Sequence, residues 1–194
     1  MRIDQTTSRS ALSLTVWLAL LIAAVVTTPA TAAPAAPSAP ASPRVLQFLG
    51  SRAAGILAQS GRVEVFRLRT KRAGEGEKSV GGYAIAATGA ARDESSARRL
   101  ADLLLDEKSY RFDHNTVGGF TPLVGLRLWN GDRSVDVLLS FATDEVVVFS
   151  RNPDDGSVRS AQADVLPARA TLVALVKQAL PDDKDVQALV DRAK

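Results

Sequence analysis

The chain has 194 residues, a formal net charge of +3 and 46% hydrophobic residues. It has no cysteine and one histidine. That excludes disulfides, thiol chemistry, a lipid-modified cysteine and any metal site built on several imidazoles. A balance this close to neutral carries no basic stripe and argues against a nucleic-acid partner.

Arg2 and Arg9 mark a polar, basic start, and Ala11 to Val26 is an apolar run relieved only by Ser13 and Thr15. Ala30-Thr31-Ala32 then places small residues where a signal peptidase reads them. This order predicts a Sec-type signal peptide over 1–32 and a periplasmic or extracellular protein. The run falls short of the roughly 20 residues a spanning helix needs. No Arg-Arg pair precedes it, so a twin-arginine signal is unsupported. An uncleaved leader acting as a membrane anchor is the rival reading. Residues 33–43 alternate Ala, Pro and Ser, the composition of an extended linker. Residues 44–194 are expected to form one globular domain.

Val45, Leu46, Leu49, Ala53, Ile56 and Leu57 recur at three- and four-residue spacing, which predicts a helix over Arg44 to Gln59, weakened by Gly50 and Gly55. Arg62 to Thr70 alternates as a strand, Lys71 to Gly82 reads as a loop, and Tyr83, Ile85 and Ala87 alternate as a second strand. Asp93 is placed to cap a helix with the stripe Ala97, Leu100, Ala101 and Leu104, running to about Glu107. Lys108 to Phe112 is expected to be irregular or extended.

Leu123 to Trp129, Ser134 to Phe141 and Val146 to Ser150 form a predicted three-stranded meander. A tight turn at Asn130-Gly131 pairs Leu126 with Val135 and Val124 with Val137. A second turn at Thr143-Asp144 pairs Phe141 with Val146 and Leu139 with Val148. Both turns put the same residues on one core face. The opposite face mixes Leu123, Leu138, Val147 and Phe149 with Arg127, Asp136 and Ser140. It calls for cover by another element or by a partner. Asn152 to Gly156 is a turn by composition, and Ala170 to Leu180 is a helix ended by Pro181. Asp183 or Asp185 is expected to cap a last short helix. The fold class is therefore α+β, a mostly antiparallel sheet containing the meander at about 123–150, packed by two or more helices.

Asp136 lies inside the apolar run Val135 to Leu139, where a carboxylate needs a partner. The predicted register sets Arg127 diagonally across from it, so an Arg127–Asp136 pair is expected. His114, in the loop Asp113 to Thr116, has no G-x-S-x-G elbow to serve. Asp136, Arg127 and His114 are the candidates for a polar site; no catalytic, cofactor-binding or metal residue is assigned. Asp144 and Glu145 read as solvated turn acids, and Asp154-Asp155 lacks calcium-loop spacing. Gly81-Gly82 and Gly118-Gly119 fit no phosphate-binding loop, so no cofactor is expected.

Leu103 to Tyr110 (LLLDEKSY), Phe120 to Leu128 (FTPLVGLRL) and Val135 to Glu145 (VDVLLSFATDE) together resemble an uncharacterised family of bacterial exported proteins and lipoproteins. In that family the third stretch usually carries C-F-x-C, and a further cysteine often precedes the F-x-P stretch. Here Ser140 and Thr143 stand at the C-F-x-C positions, and Gly118-Gly119 lies near the other. A disulfide or metal used there by the family is thus closed to this chain. The resemblance implies export and the hairpin layout, and it transfers no site. The expected function is a non-enzymatic binding or interaction module of the envelope or extracellular space, with another envelope protein as the partner in view. The alternatives are a hydrolase-like enzyme using Asp136, Arg127 and His114, and a membrane-tethered structural protein. Gathering of those three residues in one pocket would favour the enzyme.

Overall fold

The computed structural model describes residues 40–90, 92–114 and 119–191. The expected signal peptide and residues 33–39 of the expected linker lie outside these residues. Among the described residues no helix is long and apolar enough to cross a membrane.

The first helical stretch is two helices, not one. Helix α1 (Pro43–Leu49) begins on the Ser42 hydroxyl and ends at Gly50, which takes φ +80° and donates its N–H to the Leu46 carbonyl. Helix α2 (Ser51–Ala58) then restarts in a new direction. The apolar spacing is satisfied on both sides of the break, so periodicity alone did not reveal it. Strand β1 (Arg62–Arg72) follows, then β2 (Ser79–Val80) and β3 (Tyr83–Thr88). The segment expected to be loop thus contains the end of β1 and a two-residue strand.

Asp93 caps α3 (Glu94–Leu105) as expected, accepting from the Ser96 N–H at 3.0 Å. The helix stops at Leu105, and Glu107–Ser109 tightens into a single 3-10 turn. The meander is β4 (Val124–Asn130), β5 (Arg133–Ser140) and β6 (Glu145–Arg151). A further strand, β7 (Val158–Asp164), was not foreseen. Helices α4 (Arg169–Ala179) and α5 (Lys184–Gln187) complete the chain, with Asp183 capping α5.

All seven strands join one sheet in the order β2-β3-β1-β4-β5-β6-β7, every pairing antiparallel. The fold is α+β with the sheet packed by helices, and the sheet is larger than the expected meander. Both predicted hairpin registers are displaced. Leu126 pairs with Val137 and Val124 with Leu139, because the first turn is Gly131-Asp132, with Gly131 at φ +60°. A glycine with positive φ at the first central position suits a type II′ turn. Leu139 pairs with Val146 and Val137 with Val148, because the second loop spans Phe141 to Asp144. Each displacement moves one strand by two residues against the other, which leaves the paired side chains on their predicted faces. Leu123, expected on the opposite face, lies just before β4 and packs against the main core instead.

That shared face carries the main core. Val63 and Val65 of β1, Leu126 and Leu128 of β4, Val137 and Leu139 of β5 and Val148 of β6 meet Leu49, Leu57, Leu100, Leu104, Leu172 and Val176 of the helices. The opposite face is covered by the chain itself. Phe66, Leu68, Val80, Tyr83, Leu138 and Val147 form a second buried cluster. Two irregularities in the β1–β3 pairing, beside Leu68, let the β2–β3 end of the sheet curl back over β4 and β5. The fit is close: a Cβ on Gly125 of β4 would lie 3.0 Å from Val80, and one on Gly81 would lie 2.9 Å from Leu138.

Candidate functional site

Arg127 and Asp136 stand directly opposite each other on β4 and β5, not diagonally. Arg127 donates Nε to Asp136 Oδ1 at 2.6 Å and Nη2 to Oδ2 at 2.9 Å. This fork is the strong form of an ion pair, directional and charge-assisted. The pair also reaches the curled ribbon. Arg127 Nη2 donates to the Ser79 carbonyl at 3.1 Å, and Gly81 N–H donates to Asp136 Oδ2 at 3.0 Å. Its bonds to Asp136 raise the Arg127 pKa above the ordinary arginine value, against the opposing effect of burial. The carboxylate that interrupts an apolar strand is therefore a pin that fastens β2 and its turn onto the sheet.

Beside this pin lies a cleft of about 410 Å³. The ribbon tip at Gly81 and Gly82 forms one wall, and Ser134, Phe149, Arg151 and Val158 of the sheet form the rest. Arg151 donates Nη1 to the Gly156 carbonyl at 3.1 Å and has no carboxylate within 4 Å among the described residues. Phe149 is half-buried, and Val158 is 53% exposed on the edge strand. Arg151 and Ser134 were not singled out from the sequence. Strand alternation puts Ser134 on the face of Asp136 and Arg151 on that of Phe149, and the cross-strand pair Asp136–Phe149 makes those faces one.

Comparison with family models, curated proteins and solved structures returns no match.

His114 belongs elsewhere. It lines a separate, open depression of about 670 Å³ with Arg44, Tyr110, Arg111 and Phe112. Its Nε2 lies 3.8 Å from Oδ2 of Asp164, a buried carboxylate that Arg111 holds from both ends of its fork. The bond to Asp164 raises the Arg111 pKa. Tyr110 and Phe112 stack, and Phe48 meets both edge-on, with centroids 5.0–5.3 Å apart; burial pushes the Tyr110 hydroxyl pKa up. Among the described residues lining it there is no serine or threonine to act as a nucleophile. The three sequence candidates thus line two different cavities, and the gathering that would favour a hydrolase does not occur.

The sequence reads Asp144 and Glu145 as solvated turn acids, but both are buried. Asp144 is buried at φ +58° and pairs with the buried Arg169, which also donates to the carbonyls of Phe141 and Val190. Glu145 is buried too; Gln162 donates to its Oε1 at 2.7 Å, and its Oε2 has no hydrogen-bond partner among the described residues. Asp155 accepts from Ser157 within the β6–β7 turn, which lowers its pKa and accounts for it as a turn-forming residue. Among the described residues no three His, Asp or Glu side chains gather to hold a metal ion.

Proposed function

We propose that this protein is exported and works as a non-enzymatic binding module in the cell envelope or outside the cell. Export rests on the basic start, the apolar run Ala11 to Val26 and the Ala30-Thr31-Ala32 site, together with the resemblance to a family of exported bacterial proteins. The binding role rests on one observation above others. Arg127 and Asp136 hold the ribbon, while the cleft beside them keeps guanidinium donors without partners among the described residues and a partly exposed apolar floor. That combination suits recognition, because a few convergent polar groups on an apolar surface orient a ligand.

The first test is the mass and N-terminal sequence of the protein recovered from envelope and culture fractions. A start at Ala33 in a membrane-free fraction is expected. A start at Met1 in the membrane fraction would replace export of a free domain with a retained anchor. Turnover of a chromogenic ester that is lost in both His114→Ala and Asp136→Asn would overturn the non-enzymatic reading.

A further inference from the structure

Building on the reading as a binding module, we propose that the cleft beside the β2–β3 ribbon takes a small organic monoanion, a carboxylate carried on an apolar body. Its volume of about 410 Å³ lies in the range of small-molecule sites. Its lining residues carry two guanidinium groups, Arg127 and Arg151, and the single carboxylate of Asp136. Asp136 is already satisfied by Arg127 and by the Gly81 N–H, so it presents little free acceptor to a cationic ligand.

The donors are another matter. Arg127 uses Nε and Nη2 on Asp136 and Ser79, which leaves Nη1 without a hydrogen bond among the described residues. Arg151 uses only Nη1, on Gly156, which leaves Nε and Nη2 without one among the same residues. Ser134 adds a hydroxyl at the same wall. A planar carboxylate matches a guanidinium edge with two parallel hydrogen bonds. One net positive charge in the cleft balances a monoanion, whereas a phosphate dianion would bring surplus negative charge next to Asp136. Phe149 and Val158 offer the apolar body a surface continuous with the charged end. Because Asp136 and Ser79 already fix Arg127, the ligand does not have to order it, which lowers the entropic cost of binding.

The test is a titration of the purified ¹⁵N-labelled protein with 4-phenylbutyrate and with its uncharged amide, followed by NMR. The expected result is saturable shifts at Gly81, Gly82 and Phe149, with the amide about tenfold weaker or worse. Arg151→Gln should weaken the acid by about tenfold, and Arg151→Lys by less, since lysine keeps the charge and loses the fork. Val158→Glu, at an exposed position, should weaken the acid by more than the amide, since both lose an apolar contact and only the acid is repelled. Equal binding of acid and amide, an unaffected Arg151→Gln, or no saturable shift up to about 10 mM would overturn the proposal. Shifts centred on His114 would also overturn it, and would leave the protein a binding module with its site in the other depression. Conversion of the amide to the acid during the titration would bring down the binding-module reading itself.

Discussion

The two faces of the sheet are closed by different means. One meets a layer of helices in a continuous apolar seam, with Leu128, Val135, Val137 and Leu139 of the strands at or near zero exposure. The other is closed by the sheet's own curled end, and there the apolar cluster is small and bordered by the Arg127–Asp136 pin. A helix layer hides a face completely because its side chains fill the seam. A curled ribbon covers only as far as it reaches, so its border stays open, and that border is where the cleft lies.

Adjacent leucines on β5 give the most direct way to break this contrast. Leu138 faces the ribbon and Leu139 faces the helices, and both are fully buried. Leu139→Ala is expected to cost about 3–5 kcal/mol and Leu138→Ala about 2–3 kcal/mol, because the ribbon can settle into the gap and the helix layer cannot. Urea unfolding measures both, and a Leu138 penalty equal to the Leu139 one would mean the two layers are equally rigid. Next comes the pin. Asp136→Leu strips partners from Arg127 and from the Gly81 N–H and should cost roughly 1–3 kcal/mol. Adding Arg127→Met should recover part of that loss; a double variant no better than the single would deny the coupling.

Smaller effects sharpen the picture away from the ribbon. Gly131→Val meets no atom within 4 Å of the new Cβ, so its expected penalty of roughly 1–2 kcal/mol is purely that of a branched residue at positive φ. An unchanged Tm would contradict the turn. The last effect depends on pH. Donors on Ser96 and then Ser95 hold the Asp93 carboxyl below its ordinary value of 3.8. A depressed folded-state pKa means that its contribution is complete above the unfolded value and is lost as pH falls through the folded one. Asp93→Asn keeps a capping oxygen and removes the charge, so it should lower stability slightly at neutrality and converge with the parent in acid, flattening the stability curve below about pH 4. A curve unchanged in acid would mean the carboxylate charge is not what the cap exploits.

The sequence made the faces legible and left the registers hidden, for one physical reason. Side chains alternate with a period of two, so a displacement of two residues preserves every inward and outward assignment that made the meander readable. Strand β7 is hard to read because the residues opposite Val146, Val147 and Val148 of β6 are Ala163, Gln162 and Ala161, and alanine gives a weak alternation signal. Two residues of β2 are too few to show any pattern. Within the candidate site, Asp136 was visible as a charge in an apolar strand. Its ties to Ser79 and Gly81 were not, because they depend on how far the sheet curls. Asp144 looked like any acid in a turn; its burial depends on Arg169, a residue 25 positions away.

The final segment of the chain also bears on when the fold can close. Asp183 and Asp185 hold Arg67 of the first strand, at 3.3 and 2.7 Å, and the Val190 carbonyl receives both Nε and Nη2 of Arg169. A polypeptide that emerges N-terminus first, from a ribosome or through a membrane pore, lacks these fastenings until residues 183–190 arrive. The strands and the earlier helices can be in place without this clasp onto Arg67 and Arg169, so closure of the fold waits for that segment.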